Sequence, residues 1–170
     1  MRILGIDPGT GRMGFGVIEV ARGNRPVMID GGVIETPAHT PVPERLEDIF
    51  ANLTEIIEQT HPDEMSIEKL FFSKNITTAI SVAEARGVAL LCAQRAGLAI
   101  YEYTPNQIKQ TLTGYGNAEK KQMQEMVRRE LSLDKVPQPD DAADALAAAL
   151  THYFMTKNDP KYQENQIENL

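Results

Sequence analysis

The apolar pattern first changes period near residue 43, and that change constrains the fold more than any other feature of the chain. Before it, residues 2–7, 13–20 and 26–36 read as three β-rich runs, separated by the turn-forming clusters Pro8-Gly9-Thr10-Gly11 and Arg22-Gly23-Asn24-Arg25. These are expected to be consecutive, hairpin-connected strands. After it, Leu46, Ile49, Phe50, Leu53, Ile56 and Ile57 recur at three- and four-residue spacing, which predicts an amphipathic helix between Pro43 and Pro62. A short strand is expected around Met65-Ser66-Ile67-Glu68, then a helix over 75–96 stopped by Gly97, and a fifth strand over 98–103. Two further helices are expected over 118–131 and 141–155, the last one introduced by Pro137, Pro139 and Asp140, with Asp140 as its N-cap. That order implies an α/β domain: a mixed five-stranded sheet, three antiparallel strands and then two parallel ones, flanked by helices.

At 170 residues the chain is expected to form one domain over 1–156, followed by a tail, 157–170, too polar to pack and expected to be disordered. No apolar run approaches the roughly 20 residues of a membrane helix, and no secretory signal precedes the first turn, so a cytoplasmic location is expected. Cys92 stands alone among apolar neighbours and reads as a small buried hydrophobe. The net charge of −7 argues against a nucleic-acid partner, because phosphate is held by Lys and Arg. The distribution weakens that objection: residues 69–135 hold ten basic against six acidic side chains, a local +4, while the rest of the chain carries −11. A positive face and an ordinary set of solvated helix charges both satisfy this pattern.

The acids carry the chemistry. Asp7 ends the first strand, Glu68 the fourth, and "DDAADAL" at 140–146 places Asp141 and Asp144 three residues apart, on one helical face, among alanines that let another element approach closely. Singly, each of the first three has an ordinary explanation as a turn residue, a solvated strand end or a helix-terminal acid. Asp144 is harder to dismiss, one turn into an otherwise apolar helix. Together the four suit a hard cation such as Mg²⁺, which takes carboxylate, water and phosphate oxygens. Two such ions about 4 Å apart can serve an in-line phosphodiester displacement. His39, His61 and His152 are scattered, which makes zinc a poor expectation.

"GIDPGTGRMGFGVIE", "SIEKLFFSKN", "EARGVALL", "PNQIKQTLTGYGNAEKKQM" and "PDDAADALAAALTH" stand in the order and spacing of the RuvC Holliday-junction resolvases, and the chain resembles that family over residues 1 to about 155. The resemblance implies a ribonuclease-H-like fold, a homodimer and Mg²⁺-dependent paired nicking of opposed strands of a four-way DNA junction in recombination and repair, leaving 5′-phosphate and 3′-hydroxyl ends. Two Mg²⁺ per subunit are implied during catalysis, with Mn²⁺ able to substitute, and the branch-migration proteins RuvA and RuvB as partners. Position by position, Asp7, Glu68, Asp141 and Asp144 match the family's catalytic, metal-binding acids. Phe71 matches an aromatic that stacks on an unpaired base, although Phe71 and Phe72 also suit a core. Lys109 and Lys120 match basic residues near the scissile strand, Lys120 with a catalytic role. Arg86 and Lys121 read as DNA-backbone contacts or as solvated charges. The helix bearing Arg86, Ala89 and Ala93 is the candidate dimer interface. Two features depart from the family pattern: the acidity, which predicts modest, salt-dependent affinity, and Lys69, where an uncharged polar residue is expected.

Three other readings have distinct requirements. A kinase-like ATPase would use Asp7 at nucleotide phosphates, but it needs two duplicated domains, for which the chain is too short. A small ribonuclease-H-like nuclease that processes RNA would share Asp7 and the later acids. A non-catalytic junction-binding module would not require all four.

Overall fold

The computed structural model describes residues 1–21, 25–70 and 76–158, with residues 76–78 described by their backbone alone. Among these the order is β1 (Arg2–Asp7), β2 (Arg12–Glu19), β3 (Val27–Glu35), α1 (Val42–Thr60), β4 (Glu64–Glu68), α2 (Ile76–Arg95), β5 (Ala99–Tyr103), α3 (Pro105–Thr113), α4 (Lys120–Glu130) and α5 (Asp140–Thr156). The sheet order is β3-β2-β1-β4-β5. β1 pairs antiparallel with β2, and β2 with β3; β1 pairs parallel with β4, and β4 with β5. This is the mixed arrangement that the apolar periods predict. The expected tail begins with Lys157 and Asn158, which close α5 as a turn; its residues from 159 onward lie outside the described residues.

Period-two alternation sends successive side chains to opposite faces of the sheet and so divides the core. Leu4, Ile6, Met13, Val17, Met65 and Ile67 pack with α1 and α2 on one side, where Cys92 is also buried. Ile3 and Ile18 pack on the other side with Ile108, Leu112, Met123, Val127 and the apolar residues of α5. α5 sits close to the sheet because glycines lie beneath it. A Cβ on Gly5 would come 1.9 Å from the Ala145 carbonyl oxygen, and one on Gly14 2.0 Å from that of Asp141.

The sequence reading omitted α3, although its start signal is complete. Thr104 accepts from the Gln107 backbone N–H at 3.1 Å and the Gln107 side chain accepts from the Thr104 N–H at 2.8 Å, with Pro105 at the first helical position. Only Ile108 and Leu112 of this nine-residue helix are buried, so its apolar period is too brief to stand out. Asp140 is not the N-cap of α5: Pro139 holds that position, and Asp140 is the first helical residue.

Candidate active site

Asp7 and Glu68 come together because β1 and β4 are parallel neighbours in register. Ile6 pairs with Ile67, so the next residue of each strand lies at the same sheet edge, one strand spacing of about 4.8 Å apart. Alternation also fixes the face. Ile6 and Ile67 point toward α1 and α2, whereas Gly5 lies against the Ala145 carbonyl of α5 and the Ser66 hydroxyl donates to Ala148 O at 2.7 Å. Asp7 and Glu68 are therefore on the α5 side.

α5 delivers the other two acids. Gly14, the β2 partner of Asp7, lies directly beneath Asp141, and Asp144 follows one turn later on the same helical face. The four acids interact electrostatically as a group. Burial first, and then the charges of Asp144, Glu68 and Asp141, push the Asp7 carboxyl up to about 7, against the opposing pull of Lys120. Burial and the Asp144 charge raise Glu68, with Lys109 opposing. Burial also raises Asp144, partly offset by Lys120. A site in which several carboxyls are raised above their ordinary values is short of positive charge.

Two tethered cations reach into this edge. Lys120, the first residue of α4, places Nζ 3.1 Å from Asp140 Oδ2 and 3.4 Å from Asp144 Oδ2. Burial would lower this ammonium, but its hydrogen bond to Asp140 and the charges of Asp144 and Asp140 outweigh that and raise it. Asp140 also accepts from Gln124 at 2.8 Å. Arg12, at the start of β2, sets Nε 3.3 Å from Asp141 Oδ2 and 3.6 Å from Glu35 Oε1. The sequence reading missed Arg12, whose pairing arises only when α5 crosses β2. Glu68, Lys109, Lys120 and Asp144 line one cleft of about 280 Å³, with Pro105, Ile108, Met123 and Ala147 as its apolar walls.

Among the described residues, no three His, Cys, Asp or Glu side chains are gathered tightly enough to enclose an ion by themselves. An all-oxygen donor set open on one side nonetheless suits a hard cation that retains waters and completes its shell with phosphate oxygen. The Lys120 ammonium, already seated against Asp144, shows that positive charge is accommodated there.

The remaining sequence candidates separate. Lys121 is exposed on α4. Arg86 is largely buried rather than solvated: Nη2 lies 2.6 Å from Glu102 Oε1 and its side chain is only 17% exposed, tying α2 to β5. Ala89 and Ala93 are fully buried in the chain's own core, so that face of α2 is occupied within the subunit; among the described residues of α2, Ile80 and Leu91 are large, apolar and exposed. Phe71 and Phe72 lie outside the described residues. Lys69 is exposed, and its backbone N–H extends the β4–β5 pairing by donating to Tyr103 O at 2.8 Å. Among the described residues no helix is long and apolar enough to cross a membrane.

Comparison with known proteins agrees with this geometry. The family model described as crossover junction endodeoxyribonuclease RuvC matches residues 3–152. A crossover junction endodeoxyribonuclease RuvC of Brevibacillus brevis is 55% identical over 152 residues, covering 89% of this chain and 91% of the relative. One from Desulfitobacterium hafniense is 53% identical, covering 89% and 92%. The solved structure of T. thermophilus RuvC in complex with a Holliday junction substrate superposes with a TM-score of 0.87 at 38% identity, covering 92% of this chain and 95% of that one. The fold is the ribonuclease-H-like one that the resemblance implies. The chain belongs to the RuvC family of crossover junction endodeoxyribonucleases.

Proposed function

We propose that this protein resolves four-way DNA junctions by nicking two opposed strands, with Asp7, Glu68, Asp141 and Asp144 holding the divalent metal that the cut requires. The observation that carries this reading is the convergence of acids from β1, β4 and α5 at one sheet edge, where Asp7 is pushed up to about 7. Mg²⁺ is a cation this donor set suits; two per subunit, with Mn²⁺ as substitute, is read from the family. Bound there, it supplies an activated water and charge neutralisation at the departing 3′ oxygen.

The chain's own residues do the rest. Asp7 and Glu68, fixed by the β1–β4 register, orient the site from the sheet, while Asp141 and Asp144 orient it from the helix. Lys120 and Lys109 line the cleft with Glu68 and Asp144, where ammonium groups can neutralise charge building on the scissile phosphate. Lys121, on the same helix turn as Lys120, is read as a backbone contact, and Phe71 as a stacking residue. A symmetric junction presents two equivalent strands, which a homodimer meets with one site per subunit; the exposed Ile80 and Leu91 make α2 its candidate face. RuvA and RuvB are the partners read from the family, and the location is read as cytoplasmic.

The test is cleavage of a labelled synthetic four-way junction, a linear duplex and an RNA hairpin, each with Mg²⁺ and with EDTA. Paired, metal-dependent nicks confined to the junction are expected. Cleavage of the RNA alone would support the RNA-processing reading, and junction binding without a cut the non-catalytic one.

A further inference from the structure

The acids at the active edge stand at one end of a longer ladder between β4 and α5. Glu64, Ser66 and Glu68 alternate onto the α5 face of β4. Asp144, Ala148 and His152 are four apart on α5 and share one helical face. They meet in reverse order. At the end far from the active edge, Glu64 Oε2 lies 2.6 Å from His152 Nε2. In the middle, the Ser66 hydroxyl donates to Ala148 O at 2.7 Å. At the near end, Glu68 and Asp144 line the same cleft. The spacing is commensurate: four strand residues span about 13 Å and eight helical residues about 12 Å, so fixing the far rung fixes the near one.

The far rung is closed to solvent and held on several sides. His152 and Ser66 are fully buried and Glu64 is 8% exposed. The Tyr101 ring stacks on the imidazole with centroids 4.1 Å apart, and the Tyr103 hydroxyl lies 2.7 Å from His152 Nδ1. Both ring nitrogens thus have a partner at hydrogen-bond distance, Nε2 with Glu64 and Nδ1 with Tyr103. At Gly5 the α5 face against β1 is alanine over glycine, with Ala145 and Ala149 beside it, while Ile3 packs with the apolar residues of α5 further along the same face. Apolar packing is not directional, so the polar rungs add direction to it, and a slip of about one helical rise, 1.5 Å, would move Asp144 by that amount.

We propose that Glu64 and His152 are positioning residues: they set the register of α5 along β4 and thereby the separation of Glu68 and Asp144. This rests on the reading that those acids hold a divalent metal. The reaction does not touch the pair, which acts through the two elements that carry the acids.

The double variant Glu64→Leu/His152→Leu separates register from stability, because replacing a buried polar pair with packed apolar side chains is often neutral for stability. Tyr103→Phe, which removes only the hydroxyl at Nδ1, is the milder variant should the double one fail to fold. Ile49→Val, buried on the opposite side of the sheet, controls for a small loss of stability. Mn²⁺ uptake by the full chain without DNA, single-turnover cleavage of a junction, junction affinity in EDTA and Tm are measured for each. The double variant is expected to need about 10-fold more Mn²⁺ and to cut about 10- to 100-fold more slowly, at unchanged junction affinity. Tyr103→Phe is expected to shift both in the same direction by less, and Ile49→Val neither. Folded variants that take up Mn²⁺ and cut as the wild type does would overturn the inference alone. Wild-type protein that takes up no Mn²⁺ would overturn the metal reading beneath it as well.

Discussion

Lys120 Nζ lies 3.4 Å from Asp144 Oδ2, so the first residue of α4 is ion-paired with an acid one turn into α5. In a site this short of positive charge, that ammonium has two roles that oppose each other. It neutralises acids when no metal is present, and it competes with a metal for Asp144. Lys120→Met is therefore expected to tighten Mn²⁺ binding in the absence of DNA a few-fold, while slowing single-turnover cleavage by about 100-fold through loss of charge at the phosphate. Calorimetric titration and a junction assay at saturating Mg²⁺ read the two effects separately; a variant that binds metal more weakly and cuts normally would contradict this assignment.

The crowding of acids gives the metal-free protein a pH signature. Asp7 has its carboxyl at about 7 in the folded chain against an ordinary 3.8. Well below 3.8 both folded and unfolded chains carry the proton and the group contributes nothing. As pH rises from 4 to 7 the unfolded chain ionises first, so stability falls, and above 7 the penalty is complete. Asp7→Asn removes it. In EDTA the variant is expected to melt higher than wild type at pH 8, by about 2 to 4 °C for each kcal/mol relieved in a chain of this size, with no such gain at pH 3.5. Thermal melts at the two pH values check this, and an equal difference at both would refute it.

Gly14 ties β2 to the acids of α5. A methyl group there would meet the Asp141 carbonyl oxygen at 2.0 Å, which only a shift of backbone relieves. Gly14→Ala is expected to cost about 1 to 3 kcal/mol, and to lower the cleavage rate even at temperatures where the variant remains fully folded. Denaturant titration and cleavage of the folded variant measure these, and a stable variant with wild-type activity would show that the approach of α5 over β2 does not set the site.

Lys121 and Arg86 looked equivalent as candidate DNA contacts in the sequence, but they differ in the structure. Lys121→Ala is expected to weaken junction binding and to reduce the salt slope of log K by about one. Arg86→Leu is expected to leave that slope unchanged and to lower Tm, since it strands Glu102 and unties α2 from β5. Binding isotherms across salt concentrations, with melts alongside, distinguish them.

What was legible in the sequence was what depends on local period and spacing. The strands, the helices α1, α2, α4 and α5, and the candidate acids could be read because turns, apolar repeats and the three-residue separation of Asp141 and Asp144 are short-range signals. What was missed depends on the crossing of elements. Arg12 reaches Asp141 only because α5 lies over β2, and Arg86 reaches Glu102 only because α2 packs beside β5. Glu64 and His152 are 88 positions apart, so neither signals the other. α3 was within reach, since Thr104, Pro105 and Gln107 spell out its start; two buried apolar residues gave too weak a period to prompt the search.

The acids at the sheet edge are assigned to hold the metal for cutting and not the DNA. Asp7→Asn, assayed on a labelled four-way junction with Mg²⁺ beside wild type, separates the two roles. Junction binding as tight as that of the wild type and no detectable nicks are expected; a variant that still cut in a Mg²⁺-dependent way would rule the assignment out.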